Sequence, residues 1–110
     1  MDDVPVLDLT RLELITRGSS ARAREFLEAL FEETDAQLER LNALLAGRDG
    51  IAVSDVAHTI KGTAMELGAM RLRAAAAALE TESDAERWPT CIGNIASALA
   101  ELRRAQTPSA

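Results

Sequence analysis

The sequence predicts an all-α protein: an antiparallel up-down-up-down four-helix bundle with a short N-terminal capping helix. Three observations carry this. Apolar residues recur at spacings of three and four along most of the chain, and no stretch alternates with the period of two that a half-buried strand needs. The punctuation is confined to short points, Gly18-Ser19-Ser20, Gly47-Arg48-Asp49-Gly50, Gly68, Ser83-Asp84 and Pro108. The chain is 47% hydrophobic and only 3% aromatic, which suits a helical core of leucine, isoleucine and alanine.

The first helix is expected from about Asp8 or Leu9 to Thr16, with Pro5 before it. The second follows the Gly-Ser-Ser break and carries Leu27, Leu30, Phe31, Thr34, Leu38, Leu41 and Leu45 on one face, with Gly47 as its natural stop. A third runs from about Ile51 to Leu67, with Val53, Val56, Ala57, Ile60, Ala64 and Leu67 as its stripe and Gly68 as the left-handed cap. The fourth, from about Ala69 to Glu82, passes through the alanine tract 74–78 and turns Leu72, Ala75, Ala76 and Leu79 inward; alanine favours helix and lets neighbours approach closely. The fifth begins near Trp88-Pro89, where a first turn tolerates proline, and repeats Trp88, Ile92, Ile95, Leu99 and Leu102. Short turns between long amphipathic helices make antiparallel neighbours. A single helical domain over 1–110 is expected, with its core at about 8–106 and tails at the first few residues and at Thr107 to Ala110.

Composition narrows the function. A chain of 110 residues has room for one modest core. The net charge of −6, with no basic stripe carrying aromatics, argues against nucleic acid and leaves proteins as the expected partners. No apolar run is long enough to span a bilayer, and the acidic start Met1-Asp2-Asp3 is unlike a basic leader, so no membrane partner and a cytoplasmic location are expected. The lone Cys91 has neither a disulfide partner nor the companions of a zinc site, and reads as a small core residue. The turn Gly47 to Gly50 lacks the lysine and the strand of a phosphate-cradling loop.

The one stretch with chemistry in it is "AHTIKGTAMELGAM", residues 57–70. It holds the only histidine, His58, and the only lysine, Lys61, in a chain with eleven arginines. Stepping round the third helix puts His58 roughly 150° from the centre of the apolar stripe, on the solvent side. Gly62 falls on the same face one turn on, Ile51 two turns before, and Lys61 and Met65 on the flank. Glycine inside a helix costs on the order of 1 kcal/mol relative to alanine, and its absent side chain leaves the imidazole uncovered. Ile51 and Met65 add apolar surface of the kind a partner covers. An ammonium beside the ring disfavours the imidazolium and attracts a phosphoryl group that has arrived.

A lone helical histidine is most often an ordinary surface residue. Metal binding lacks a donor set. Acid–base catalysis lacks a pocket, and no carboxylate is assigned to orient the ring. A solvent-facing nucleophile is the reading that uses all four neighbours.

The stretch "HTIKGTAMELGAMRLRAAAAALE" resembles the histidine-containing phosphotransfer (HPt) domain of bacterial phosphorelays. That family shows histidine, lysine at plus three, glycine at plus four and plus ten, a leucine four beyond, and often Leu-Glu further on. Here these are His58, Lys61, Gly62, Gly68, Leu72 and Leu79-Glu80. The pair Thr63-Ala64 stands where many members carry serine. Histidine kinase dimerisation domains, the other helical bundles with a phosphoacceptor histidine, place an acidic residue after the histidine and a proline four beyond that; Thr59 and Thr63 stand there. The resemblance implies that His58 accepts a phosphoryl group from the aspartate of a receiver domain, in a response regulator or hybrid sensor kinase, and passes it to another. Lys61 would balance phosphate charge and Gly62 give access to the imidazole. Ile51, Ser54, Asp55 and Met65 are the expected partner surface. No cofactor of its own is expected, magnesium being held by the receiver; nor is a kinase catalytic domain, and the chain is expected to be a monomer. The alternative is a phosphate-independent helical adaptor that binds or sequesters receiver or partner proteins.

Overall fold

The computed structural model describes residues 4–106; the expected tails, with Pro108, lie outside them. Among the described residues there are five α-helices: α1 (Leu9–Thr16), α2 (Ser20–Leu44), α3 (Gly50–Leu67), α4 (Met70–Glu80) and α5 (Trp88–Ala105). A single 3-10 turn, Ala85–Arg87, leads into α5. Helices α2 to α5 form a ring, each packing on its chain neighbours and α2 closing on α5, while α1 lies against α2 and α3. Side-chain ties show the alternating directions. Ser54 near the start of α3 reaches Glu80 at the end of α4, and Arg71 at the start of α4 pairs with Glu101 near the end of α5.

The helices start where side chains can satisfy the free N–H groups of a first turn. Asp8 accepts from the Arg11 N–H, Ser19 from Arg22 and Asp49 from Ala52. The α3–α4 turn is closed at Gly68, whose φ of 78° is left-handed and whose neighbour Ala69 donates its N–H to the Ala64 carbonyl at 2.8 Å. Asp8 N–H in turn bonds the Gly68 carbonyl at 2.7 Å, which seats the entry to α1 on this turn. The short helix thus caps one end of the bundle, as the sequence predicts.

The bounds of three helices differ from the sequence reading. Helix α2 ends at Leu44, before Gly47, because the chain turns over 45–48 and the left-handed position falls on Arg48 (φ 50°). Arg48 is held there by an ion pair to Glu86 at 2.8 Å. Helix α3 begins one residue earlier than expected, on Gly50, directly after its Asp49 cap. Helix α4 occupies 70–80 and not 69–82. Ala69 is spent on closing the turn, and the Glu82 carbonyl accepts from the Trp88 indole N–H, which anchors the α4–α5 connection.

The core is the set of predicted stripes. Leu27, Leu30, Leu41, Val53, Val56, Ala57, Ile60, Ala64, Leu67, Leu72, Ala76, Leu79, Trp88, Ile92, Ile95, Leu99 and Leu102 are buried. Phe31, Leu38, Leu45 and Ala75 are half-buried at its margin. Thr34 is buried among them, and Cys91 packs at the edge, where burial pushes its thiol pKa up.

Candidate functional site

Helix α3 turns Ile60 and Ala64 into the core and His58 outward, with two-thirds of the imidazole side chain (67%) exposed. Gly62 lies on the same side, and a Cβ built on it would meet nothing within 4 Å. The exposed strip around the ring carries Ile51 at 78% exposure, Asp55, and Met65 at 47%. Ser54 is half-buried, its hydroxyl donating to the Glu80 carbonyl at 3.2 Å, so it serves the α3–α4 seam more than the open face. Surface hollows of about 460 and 540 Å³ lie between α1, α2 and α3 and between α1, α2 and α5, and His58 lines neither.

The sequence reading assigned no carboxylate to orient the ring, and here the structure corrects it. Glu80, the last residue of α4, places Oε2 2.8 Å from His58 Nδ1 and Oε1 2.6 Å from Lys61 Nζ. The residues Ser54, His58 and Lys61 recur at four and three along α3, so one side of that helix grips both the backbone and the side chain of Glu80. Hydrogen bonds from Lys61 and then His58 hold the Glu80 carboxyl pKa below the usual carboxylate range, so at neutral pH it is ionised and accepts only. Nδ1 is therefore the donor, and the second ring nitrogen, Nε2, carries the lone pair in the neutral imidazole. Nε2 bonds no other described residue and faces outward with the exposed ring.

The sequence does hold a signal for this pairing. His58 precedes Gly68 by ten residues and Glu80 follows Ala69 by eleven, so a tight antiparallel turn at Gly68-Ala69 brings the two to one level. The Leu79-Glu80 pair also ends the motif, with Leu79 buried and Glu80 beside the ring.

A family model, Hpt domain, matches residues 25–105. The chain belongs to the Hpt domain family. Membership supports a phosphotransfer intermediate of phosphorelays, a class that carries phosphoryl groups without a kinase catalytic domain. No curated protein matches the chain. Among solved structures, this Hpt domain is similar to histidine-containing phosphotransfer protein B (HptB) from Pseudomonas aeruginosa PAO1. The TM-score is 0.80 at 24% sequence identity, over 92% of this chain and 90% of that one. At that identity the likeness speaks to the fold, which it shares along nearly its whole length. Among the described residues no helix of this Hpt domain is long and apolar enough to cross a membrane.

Proposed function

We propose that His58 is the phosphoacceptor, taking a phosphoryl group from the aspartyl phosphate of a receiver domain and returning it to the aspartate of another. The observation that carries this is an exposed imidazole whose Nδ1 is tied to an ionised carboxylate while Nε2 faces outward, unbonded to any described residue. The Nε2 lone pair attacks phosphorus, the bond from phosphorus to the aspartate oxygen breaks, and its electron pair stays with the aspartate as carboxylate. Nδ1 keeps its proton, so positive charge develops on the ring as the N–P bond forms, and the Glu80 carboxylate beside Nδ1 opposes it. Passing the group on reverses these steps.

The surroundings fit a partner that brings the remaining chemistry. Gly62 leaves open space beside the ring, and Ile51 and Met65 offer apolar contact to a receiver, with Asp55 between them in sequence. Magnesium belongs to the receiver in this reading, and Lys61 supplies the site's own cation.

The test is incubation with a receiver domain phosphorylated on its aspartate, in magnesium. One label per chain is expected, lost in acid and stable in base, as for a phosphoryl group on an imidazole nitrogen. His58→Gln should take none and stay folded. Acid-labile label persisting in that variant would overturn the proposal, since the sequence has no other histidine. Full cellular function in the same variant would select the phosphate-independent adaptor.

A further inference from the structure

Helices α1, α2 and α3 each begin on a residue whose side chain accepts an N–H of the first turn, and α4 does not. Its cap position is Ala69, which is buried and makes no side-chain hydrogen bond, so the free N–H groups of this first turn have no side chain at the cap to take them. An acceptor comes from the segment that precedes α1. The Val6 carbonyl takes the Met70 N–H at 3.2 Å. The Val4 carbonyl takes Arg71 Nε at 2.7 Å, and the same guanidinium pairs with Glu101 of α5.

The end of α3 is met in the opposite sense. A last turn leaves carbonyls free, and here the donors come from the same segment and from α1. Asp8 N–H reaches the Gly68 carbonyl at 2.7 Å, and Arg11 Nε reaches the Glu66 carbonyl at 3.0 Å. Residues 4–8 thus give acceptors to the helix that starts at this turn and, with Arg11, donors to the helix that ends there. Helix α1 has eight residues, too few for stability by itself in water, so it depends on this seat and on the buried Leu12 and Thr16.

We propose that residues 4–8 act as a conformational clasp: by supplying the cap that α4 lacks, they make the seating of α1 and the order of the first turn of α4 a single event. The clasp has two states. Closed, it pairs the ends of α3 and α4. Open, it takes the acceptor from Met70 N–H and the donors from the Gly68 and Glu66 carbonyls and draws Leu12 out of the core, while the start of α3 keeps its own cap on Asp49. Such coupling is reciprocal, so loosening either end loosens the other. It is a local opening, reached at less cost than unfolding of the whole bundle.

Native-state hydrogen exchange on the full chain tests this. The amides to follow are Asp8 and Ile15 for the clasp and α1, Met70 for the start of α4, and Ala52 for the separately capped start of α3. Leu12→Ala weakens the seat of α1 without touching α4, and should lower protection at Met70 by about tenfold or more. Arg71→Gln cuts the tie from the α4 side, and should lower protection at Asp8 and Ile15 about tenfold. Ala52 should change less than about twofold in both variants. Unchanged exchange at Met70 in Leu12→Ala, with Ile15 exchanging faster, would overturn the proposal. A loss shared equally by Ala52 would mean that the whole bundle opens, and would overturn it too. A third variant, Ala69→Ser, gives α4 a side-chain cap of its own. In that background Leu12→Ala should speed exchange at Leu72, in the first turn of α4, less than about twofold; an undiminished effect would refute the missing cap as the cause. Should Ala69→Ser not fold, the reciprocal pair Leu12→Ala and Arg71→Gln decides the matter.

Discussion

Gly62 and Gly68 lie six residues apart in one motif, and the structure gives them opposite reasons to be glycine. At Gly68 the backbone is left-handed, with φ of 78°, and a Cβ would sit 2.9 Å from the Asp8 carbonyl oxygen and 3.1 Å from Arg11 Cβ. Both the turn and the close seating of the α1 entry segment require it. Gly62 has no left-handed φ, and a Cβ there would find no neighbour within 4 Å, inside a helix that a larger residue would favour. Nothing among the described residues needs glycine there. The region around Gly68 is thus shaped by the protein's own packing, while Gly62 is left open, as the proposed access to the imidazole requires.

The comparison breaks first at Gly68. Gly68→Ala should lose about 2–3 kcal/mol of stability, from left-handed backbone strain and the displaced Asp8 contact, read as a lowered denaturation midpoint. Transfer per folded molecule should be preserved. A midpoint unchanged from the parent would mean that the turn tolerates a side chain and that the contrast is false.

Gly62→Gln should do the reverse. Its stability should rise by about 0.5–1 kcal/mol, since Gln is the better helix former, while phosphoryl transfer from a receiver falls about tenfold, a barrier increase of about 1.4 kcal/mol. Gly62→Ala, with a side chain of one carbon, should keep most of the rate. Equal transfer in the Gln variant and the parent would show that access does not depend on this position.

The smallest effect sharpens what the site region contributes to the fold. The folded-state pKa of Glu80 is lowered by Lys61 and then His58, so its contribution is present above the ordinary carboxylate range and is lost as pH falls through that lowered value. Glu80→Gln should therefore be less stable than the parent near neutral pH, and thermal melts of the two should converge as the solution is acidified below the usual carboxylate range. A gap that stays constant into strong acid would exclude the ionised carboxylate as its source.

Sequence legibility follows the same division between local and distant causes. The stripe residues Val53, Val56, Ala57, Ile60, Ala64 and Leu67 are buried because helical period alone places them together, and the same period places His58 outward. Gly47 misleads because a stop signal says nothing of the turn that uses it; the left-handed residue is Arg48, held by Glu86 from beyond α4. Glu80 is visible in the sequence as a motif letter, and the residue count across the Gly68-Ala69 turn gives its level, but that its carboxylate meets the ring depends on how α4 packs against α3.

By itself the sequence determined the helices, their inward faces, the short capping helix and the exposure of His58 beside Gly62, since each follows from spacing along one stretch of chain. Only the tertiary structure decided that Ser54, His58 and Lys61 converge on Glu80, that Nδ1 is the bonded nitrogen, and that Gly68 is pressed against Asp8. Those facts arise from the register between helices and the seating of α1, where close contacts are set by segments far apart in the chain, and no periodicity within one helix encodes them.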